Sequence, residues 1–379
     1  KTSSKMETLD VRRPGEPFEL HELIIGCSGL AGIYTELDES EAVEAVKRAY
    51  DLGCRLFDTA PHYGLGLSEE RLGKALSEIC DDDRTNVRVW TKVGRVVYDS
   101  KESVPRDAEV EETNLAGSPS CIFPATPPTR VPTLDYSAAG VDASLAGSLA
   151  RLKIDSIYGV RLHDCETEAR VAAACERGTG ALDRLITLRD GPTGEASSIG
   201  SGGGALGGTQ RGTVSSVGLG MNNPSFVAQI LERRPDVQFD TLMLAGCFNL
   251  LNQSGLSLLL ECQRRGISVH NAGVFASGLL AGGGTVDYKP ASPEALSAVE
   301  SWREVSAAHG FTLMEVALAF ARLPRCVAAV AVGVCTAAQV EAAVAAAARA
   351  GAVPLQLWRD AQARGLLPPG LLASLWSRQ

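Results

Sequence analysis

The stretch Phe57–Gly73 reads FDTAPHYGLGLSEERLG, and the architecture of the whole chain can be worked outward from it. An apolar run, RLFDTA (55–60), passes through Asp58; a glycine-bearing loop carries Tyr63; Ser68 and Glu69 then open a helical pattern. A strand running through a short loop into a helix is one βα unit, and the same succession recurs. Apolar, β-rich runs fall at LIIGCSG (23–29), RLFDTA (55–60), VRVWTKV (87–93), SIYGVRLH (156–163), TVSSVGLG (213–220), FDTLMLAG (239–246), ISVHNAG (267–273) and VAAVAVG (327–333). Amphipathic helices lie between them, such as SEAVEAVKRAYDLG (40–53) with Gly53 as its stop. Eight strands alternating with helices predict an α/β chain folded as a single (β/α)8 TIM barrel over residues 1–379, with chemistry at the carboxyl ends of the strands.

Two stretches break the rhythm. Residues 98–134 form a polar, proline-bearing segment after the third strand, and a long loop on that face is a candidate substrate lid. Residues 191–212, GPTGEASSIGSGGGALGGTQRG, have the composition of a flexible linker and are expected to be a disordered insertion on the amino face.

Composition narrows the function classes. Of 379 residues, 45% are apolar and 21% charged, so an ordinary globular core is available. The net charge of −9, with no basic run, argues against a nucleic-acid surface. Ten cysteines occur without a CxxC pair, and reduced thiols of an intracellular protein are expected. The five histidines show no metal-ligand spacing, so no metal is expected. No apolar run reaches membrane-spanning length and KTSSKMETLD is too polar for a signal h-region, which together predict a cytoplasmic location.

The chemistry-bearing residues gather at the strand ends. Asp58 ends the second strand with Tyr63 in the loop after it, Lys92 nears the end of the third, and His163 closes the fourth. A nearby ammonium favours the phenolate of a tyrosine, whose ordinary pKa is about 10, and Asp58 would hold that ammonium charged. Singly, each residue has a plain structural explanation; together, in register, they describe a proton-transfer site. Two glycine patterns do not compete. GGGALG (202–207) formally fits G-x-G-x-x-G, but no strand precedes it and no helix follows. Gly26, Gly29 and Gly32 follow a strand, yet Asp58 lies too far on for a dinucleotide fingerprint; a tight turn where backbone approaches a cofactor explains them better.

The blocks DTAPHYGLGLSEERLG, WTKVGR, DYSAAGVDASLAGSLARL and LHD resemble the aldo-keto reductase superfamily. Within it the chain is similar to the branch of aldose 1-dehydrogenases acting on L-fucose, D-threo-aldoses or L-galactose, and LLAGCFNLLNQ, FASGLLAGG and LWRDAQARGLL extend the likeness to about Leu367. The resemblance implies Tyr63 as the proton carrier, Lys92 and Asp58 as its tuning pair, and His163 as the substrate-orienting group. It also implies a nicotinamide cofactor: Asn222 at the carboxamide, Phe275 lining the ring pocket, and Ser277, Gly278 and Leu280 wrapping the pyrophosphate through backbone N–H groups.

The eighth strand departs from the family pattern. VGVCTAAQVEAAVA puts Cys335 where an arginine is usual and Ala342 and Ala343 where Glu and Asn are usual, leaving Thr336 and Gln339 as polar candidates. Without a guanidinium a 2′-phosphate lacks its ordinary partner, so NAD is favoured over NADP. Val274 likewise replaces the branch's proline before Phe275. Substrate candidates at the expected mouth are Tyr34, His62, Trp90 and Asp164. The leading expectation is oxidation of an aldose's anomeric carbon to a lactone. The alternatives are a reductase or dehydrogenase of another aldehyde such as pyridoxal, and a non-catalytic nicotinamide-sensing subunit, which would have no need of all four site residues.

Overall fold

Leu23, Ile24 and Ile25 are wholly buried, as a strand covered on both faces requires. They belong to β1 (Leu23–Gly26), the first of eight parallel strands that close into a barrel. The others are β2 (Leu56–Asp58), β3 (Arg88–Val93), β4 (Gly159–His163), β5 (Ser216–Met221), β6 (Thr241–Ala245), β7 (Ser268–Ala272) and β8 (Val327–Gly333). Each pairs with its neighbours in sequence, and β1 closes the ring on β8, with Leu23 beside Val330 and Gly26 beside Gly333. Seven of the eight lie wholly inside the runs read from sequence; β5 runs one residue past its run, to Met221. The computed structural model describes residues 8–79, 86–191, 213–286, 289–368 and 370–373, so the expected insertion, from 192 onward, lies outside the described residues.

The helices follow from capping and spacing. Helix α1 (Glu39–Asp51) starts at Asp38, whose carboxylate accepts the Ser40 N–H, and buries Ala42, Val43, Ala45, Val46 and Ala49 along one face. Gly53, at φ +94°, terminates it in the left-handed region. Helix α2 (Leu67–Glu78) begins one residue before the sequence-based start, and its first turn is tied down on three sides. Ser68 Oγ donates to the Cys27 carbonyl at 2.7 Å, while the wholly buried Glu69 accepts from Thr91 at 2.7 Å and pairs with Arg151 of α3 (Ala138–Leu152) at 2.7 Å. The Tyr63 loop is thereby clamped between a strand and a helix that are both anchored to the barrel.

Side chains alternate across a strand with period two, so inward-facing residues stack in layers. Ile24, Leu56, Trp90, Met243, Ala329 and Ala331 form one apolar layer inside the barrel. Two residues further along their strands stand Asp58 and Lys92, and β4 contributes Arg161 and His163 in the same alternation. Polar groups therefore gather at the carboxyl end above an apolar plug. Residues 95–134 are more than a loop: Arg95–Tyr98, Glu109–Val110 and Val131–Leu134 pair as a three-stranded antiparallel sheet. The polar composition concealed this because all three strands are short, only Val131–Leu134 among them is buried throughout, and their register, with Arg95 opposite Leu134, comes from long-range pairing. Among the described residues no helix is long and apolar enough to cross a membrane.

Candidate active site

Lys92 organises the site. Its ammonium has three hydrogens, and each has an acceptor: Asp58 Oδ1 at 2.5 Å, the Thr59 carbonyl at 2.9 Å and the Tyr63 hydroxyl oxygen at 2.9 Å. Because Tyr63 accepts from Lys92, its own O–H is left to donate in another direction. Burial works against the charged ammonium, but Asp58 and Tyr63 outweigh it and hold the Lys92 pKa above its ordinary value. For Tyr63 the balance falls the other way. Burial pushes the hydroxyl up to about 12, although Lys92 pulls it down. The expected direction of the lysine's influence is present, but desolvation of a phenolate is the larger effect in this protein.

His163 is held by a second set of contacts. Arg95 Nη1 lies 3.3 Å from His163 Nδ1, and since a guanidinium can only donate, Nδ1 must accept and the proton must sit on Nε2. Burial, reinforced by Arg95 and Lys92, lowers the imidazole pKa well below its ordinary value, so the ring is a neutral Nε2–H donor. Arg95 is itself fixed by Glu111 at 2.7 and 2.8 Å and by Asp164 at 3.1 Å. The Tyr136 hydroxyl lies 2.9 Å from both the His163 and Asp164 carbonyls, at a turn where Asp164 takes φ +42°. Glu111 directly follows the sheet strand Glu109–Val110 and Arg95 opens another, so the sheet is coupled to the histidine through one arginine.

Three rings pack around the Tyr63 ring. His62 meets His163 edge-on at 5.8 Å, Tyr63 meets His163 at 6.0 Å, and Phe123 lies 6.2 Å from Tyr63 and 5.8 Å from His62. Burial and Arg95 lower the His62 pKa to about 3, so this ring too is neutral. Phe123, buried and carried by the 95–134 excursion, was not identified from sequence, nor were Arg95, Glu111 and Arg161. Arg161 stands two residues before His163, on a strand whose alternation turns both inward, and that parity is the signal that could have found it; Arg95 lies beyond the end of β3, on a strand of the antiparallel sheet, and no parity marks it.

The substrate candidates divide. His62 and Asp164 border the Tyr63–His163 pair, and Tyr34 stands exposed at the rim, in the left-handed region at φ +62°, with its N–H donating to Ile122 of the excursion at 2.8 Å. Trp90 is elsewhere. It packs inside the barrel against Tyr158 at 4.7 Å and His270 at 5.3 Å, one pleat below Lys92, and so cannot present a face at the mouth.

The cofactor candidates are positioned unevenly. Asn222 follows β5 at the carboxyl end, its N–H donating to Glu166 at 3.0 Å, and Phe275 is half-buried on the core after β7. Ala276, Ser277 and Gly278 are successive left-handed residues, which folds this loop into a tight turn. The N–H groups of Gly278 and Leu280 both donate to the Phe275 carbonyl, at 3.0 and 3.1 Å, so in this geometry they are engaged within the turn and do not wrap a pyrophosphate as expected. Thr336 and Gln339 cap the helix Ala337–Ala350: Thr336 Oγ1 accepts the Gln339 N–H at 3.3 Å, and Gln339 accepts the Cys335 N–H at 2.7 Å. Gly29 packs so closely under this segment that a Cβ there would lie 2.5 Å from the Val334 carbonyl oxygen and 2.7 Å from Cys335 Sγ. At the Tyr63 end a hydroxyl held by an ammonium and a neutral Nε2–H donor stand together, a donor set that fits a carbonyl or hydroxyl group exchanging hydride with a nicotinamide. Between Gly333 and Ala343 no lysine or arginine is available to a 2′-phosphate.

Comparison with known proteins places these features in a family. The model of the aldo/keto reductase family matches residues 22–350. A D-threo-aldose 1-dehydrogenase of Pseudomonas is 29% identical over 258 residues, which take in 68% of this chain and 66% of that protein. L-galactose dehydrogenase of Arabidopsis thaliana is 26% identical, covering 85% of this chain and 82% of its own, and pyridoxal 4-dehydrogenase of Microbacterium luteolum is 26% identical, covering 90% and 93%. Among solved structures, an aldo-keto reductase from Bacillus halodurans superposes with a TM-score of 0.61 at 21% identity, over 96% of this chain and 98% of the other. Likeness at that identity concerns the fold.

Proposed function

Because this chain belongs to the aldo/keto reductase family of oxidoreductases, we propose that its site oxidises the anomeric carbon of an aldose to a lactone, with Tyr63 as the group that moves the proton. The observation that carries this reading is the Lys92 ammonium, whose three hydrogens are all engaged, one of them on the Tyr63 oxygen. A bound nicotinamide supplies the hydride acceptor. Tyr63 stands where it can take the proton from the anomeric hydroxyl, or return one to a carbonyl oxygen in the reverse direction. His163 Nε2–H donates to the same substrate oxygen and orients it. The Phe123 and His62 rings pack against the Tyr63 ring and limit its contact with water.

Charge supports a neutral substrate. Arg95 is engaged by Glu111 and Asp164, Arg130 by Glu70 and Asp99, and Lys92 by Asp58, so none of these cations is left to receive a phosphate or carboxylate. A polyol or its hemiacetal suits such a mouth, as the names of the two sugar-oxidising relatives suggest. NAD is the proposed partner, because the loop after β8 lacks a guanidinium for a 2′-phosphate. The test is a screen of aldoses and of pyridoxal with both cofactors, followed by absorbance of the reduced nicotinamide. Turnover of an aldose with NAD is the expected outcome; turnover confined to pyridoxal reassigns the substrate, and cofactor binding without turnover of any compound overturns the enzymatic reading.

A further inference from the structure

Arg161 lies wholly inside the barrel, two residues before His163, and the proton-transfer chemistry described above does not use it. Its Nη1 pairs with Asp58 Oδ2 while Lys92 pairs with Oδ1, so one carboxylate is divided between two cations. Its Nη2 lies 2.5 Å from His270 Nδ1, and because arginine can only donate, His270 accepts there. Burial, reinforced by Arg161, keeps that imidazole neutral. The face of Trp90 lies beneath the guanidinium, 5.3 Å from its carbon. Gly220 of β5 leaves room for both stems: a Cβ there would stand 3.5 Å from Arg161 Cδ and 3.6 Å from Lys92 Cε. Asp58 is thus the one acid among these neighbours of the guanidinium, and Lys92 is the cation that shares it.

We propose that Arg161 is a positioning residue of the proton-transfer site, a second buried cation that takes up half of Asp58 and so leaves the Lys92 charge incompletely neutralised where it faces Tyr63. This rests on Tyr63 being the proton carrier. With Asp58 alone opposite Lys92 the charges would cancel, and the half-buried tyrosine would have little to stabilise its phenolate. With Arg161 present the trio holds two cations against one carboxylate. The other charged or titratable groups facing Tyr63 do not supply this charge: His62 and His163 are neutral, and Asp164 and Glu111 are set against Arg95. A buried unit charge beside an ionisable group shifts its titration by about one pH unit or more.

The experiment compares pH profiles of sugar oxidation for the parent, Arg161→Met and Arg161→Lys, with Tyr63→Phe in parallel. The methionine variant is expected to move the alkaline limb up by about one pH unit, and the lysine variant, which keeps the charge, to stay near the parent. If the methionine variant does not fold, Arg161→Gln, which keeps hydrogen-bonding groups without the charge, replaces it. The lysine variant is decisive alone when its limb moves by a full unit, because a charge-retaining change should not do that. A neutral variant that loses rate equally at every pH, with its limb unmoved, shows a merely structural role and overturns the proposal. Full activity in Tyr63→Phe removes both this proposal and the reading beneath it, whereas an inactive Tyr63→Phe with an unmoved limb in the neutral variant removes the proposal alone.

Discussion

Replacing Lys92 by methionine removes one charge from the centre of the site while roughly preserving its length. Charges 2.9 Å apart, the separation of Lys92 Nζ and the Tyr63 oxygen, attract by about 1.4 kcal/mol in water and by about 6 kcal/mol at an effective dielectric of roughly 20. These limits correspond to a phenolate made harder to form by about one to four pH units. General acid–base catalysis contributes on the order of 10²–10⁴ in rate, so kcat/KM for sugar oxidation is expected to fall by about that factor. Folding should survive, because Asp58 keeps Arg161 as a partner and is not left as an isolated buried charge. The assay is a pH profile of kcat/KM beside a thermal unfolding curve. A folded Lys92→Met protein within tenfold of the parent, with its alkaline limb unmoved, would refute the reasoning that joins Lys92 to Tyr63.

Further outcomes follow from the same geometry. With the Tyr63 pKa raised to about 12, the protonated form prevails below that value; reductive rates should be level between pH 6 and pH 9 (~ranges set by this pKa), while oxidative rates, which need the deprotonated form, should rise with pH, and a falling oxidative profile would contradict this. Arg95→Met frees His163 to take the other tautomer and should lower kcat by about tenfold or more while cofactor affinity holds; unchanged kcat would mean that Arg95 does not set the tautomer. Cys335→Arg should improve NADP affinity relative to NAD by about tenfold, the scale of one charge-assisted hydrogen bond, and a flat ratio of dissociation constants would show that the 2′-phosphate lies elsewhere.

The barrel was legible because its signals are local. Each strand is an apolar run, and the helices carry their own caps and spacing, so all eight strands could be read without long-range information. Asp58, Tyr63, Lys92 and His163 were legible for a related reason: each stands at a strand end or in the loop just after one. What escaped depends on pairing between distant segments. The Arg95–Glu111 contact forms only once the 95–134 excursion folds as a sheet, and the Arg161–His270 contact joins residues 109 apart in sequence. Trp90 was misplaced although its parity was visible, since a residue two before Lys92 shares its inward face one layer deeper. Thr336 and Gln339 show a different ambiguity: a Thr-x-x-Gln spacing suits a cofactor's polar end and a helix cap alike, and here the cap contacts are formed.

The most direct test of the central claim is Tyr63→Phe, measured as kcat for aldose oxidation together with NAD affinity in the same preparation. Removing one oxygen takes away the proton carrier and leaves Lys92, Asp58 and Arg161 in place. The predicted result is a loss of about 10²-fold or more in kcat with NAD affinity essentially unchanged. A variant that binds NAD and still turns over sugar within a few fold of the parent would contradict the assignment of Tyr63.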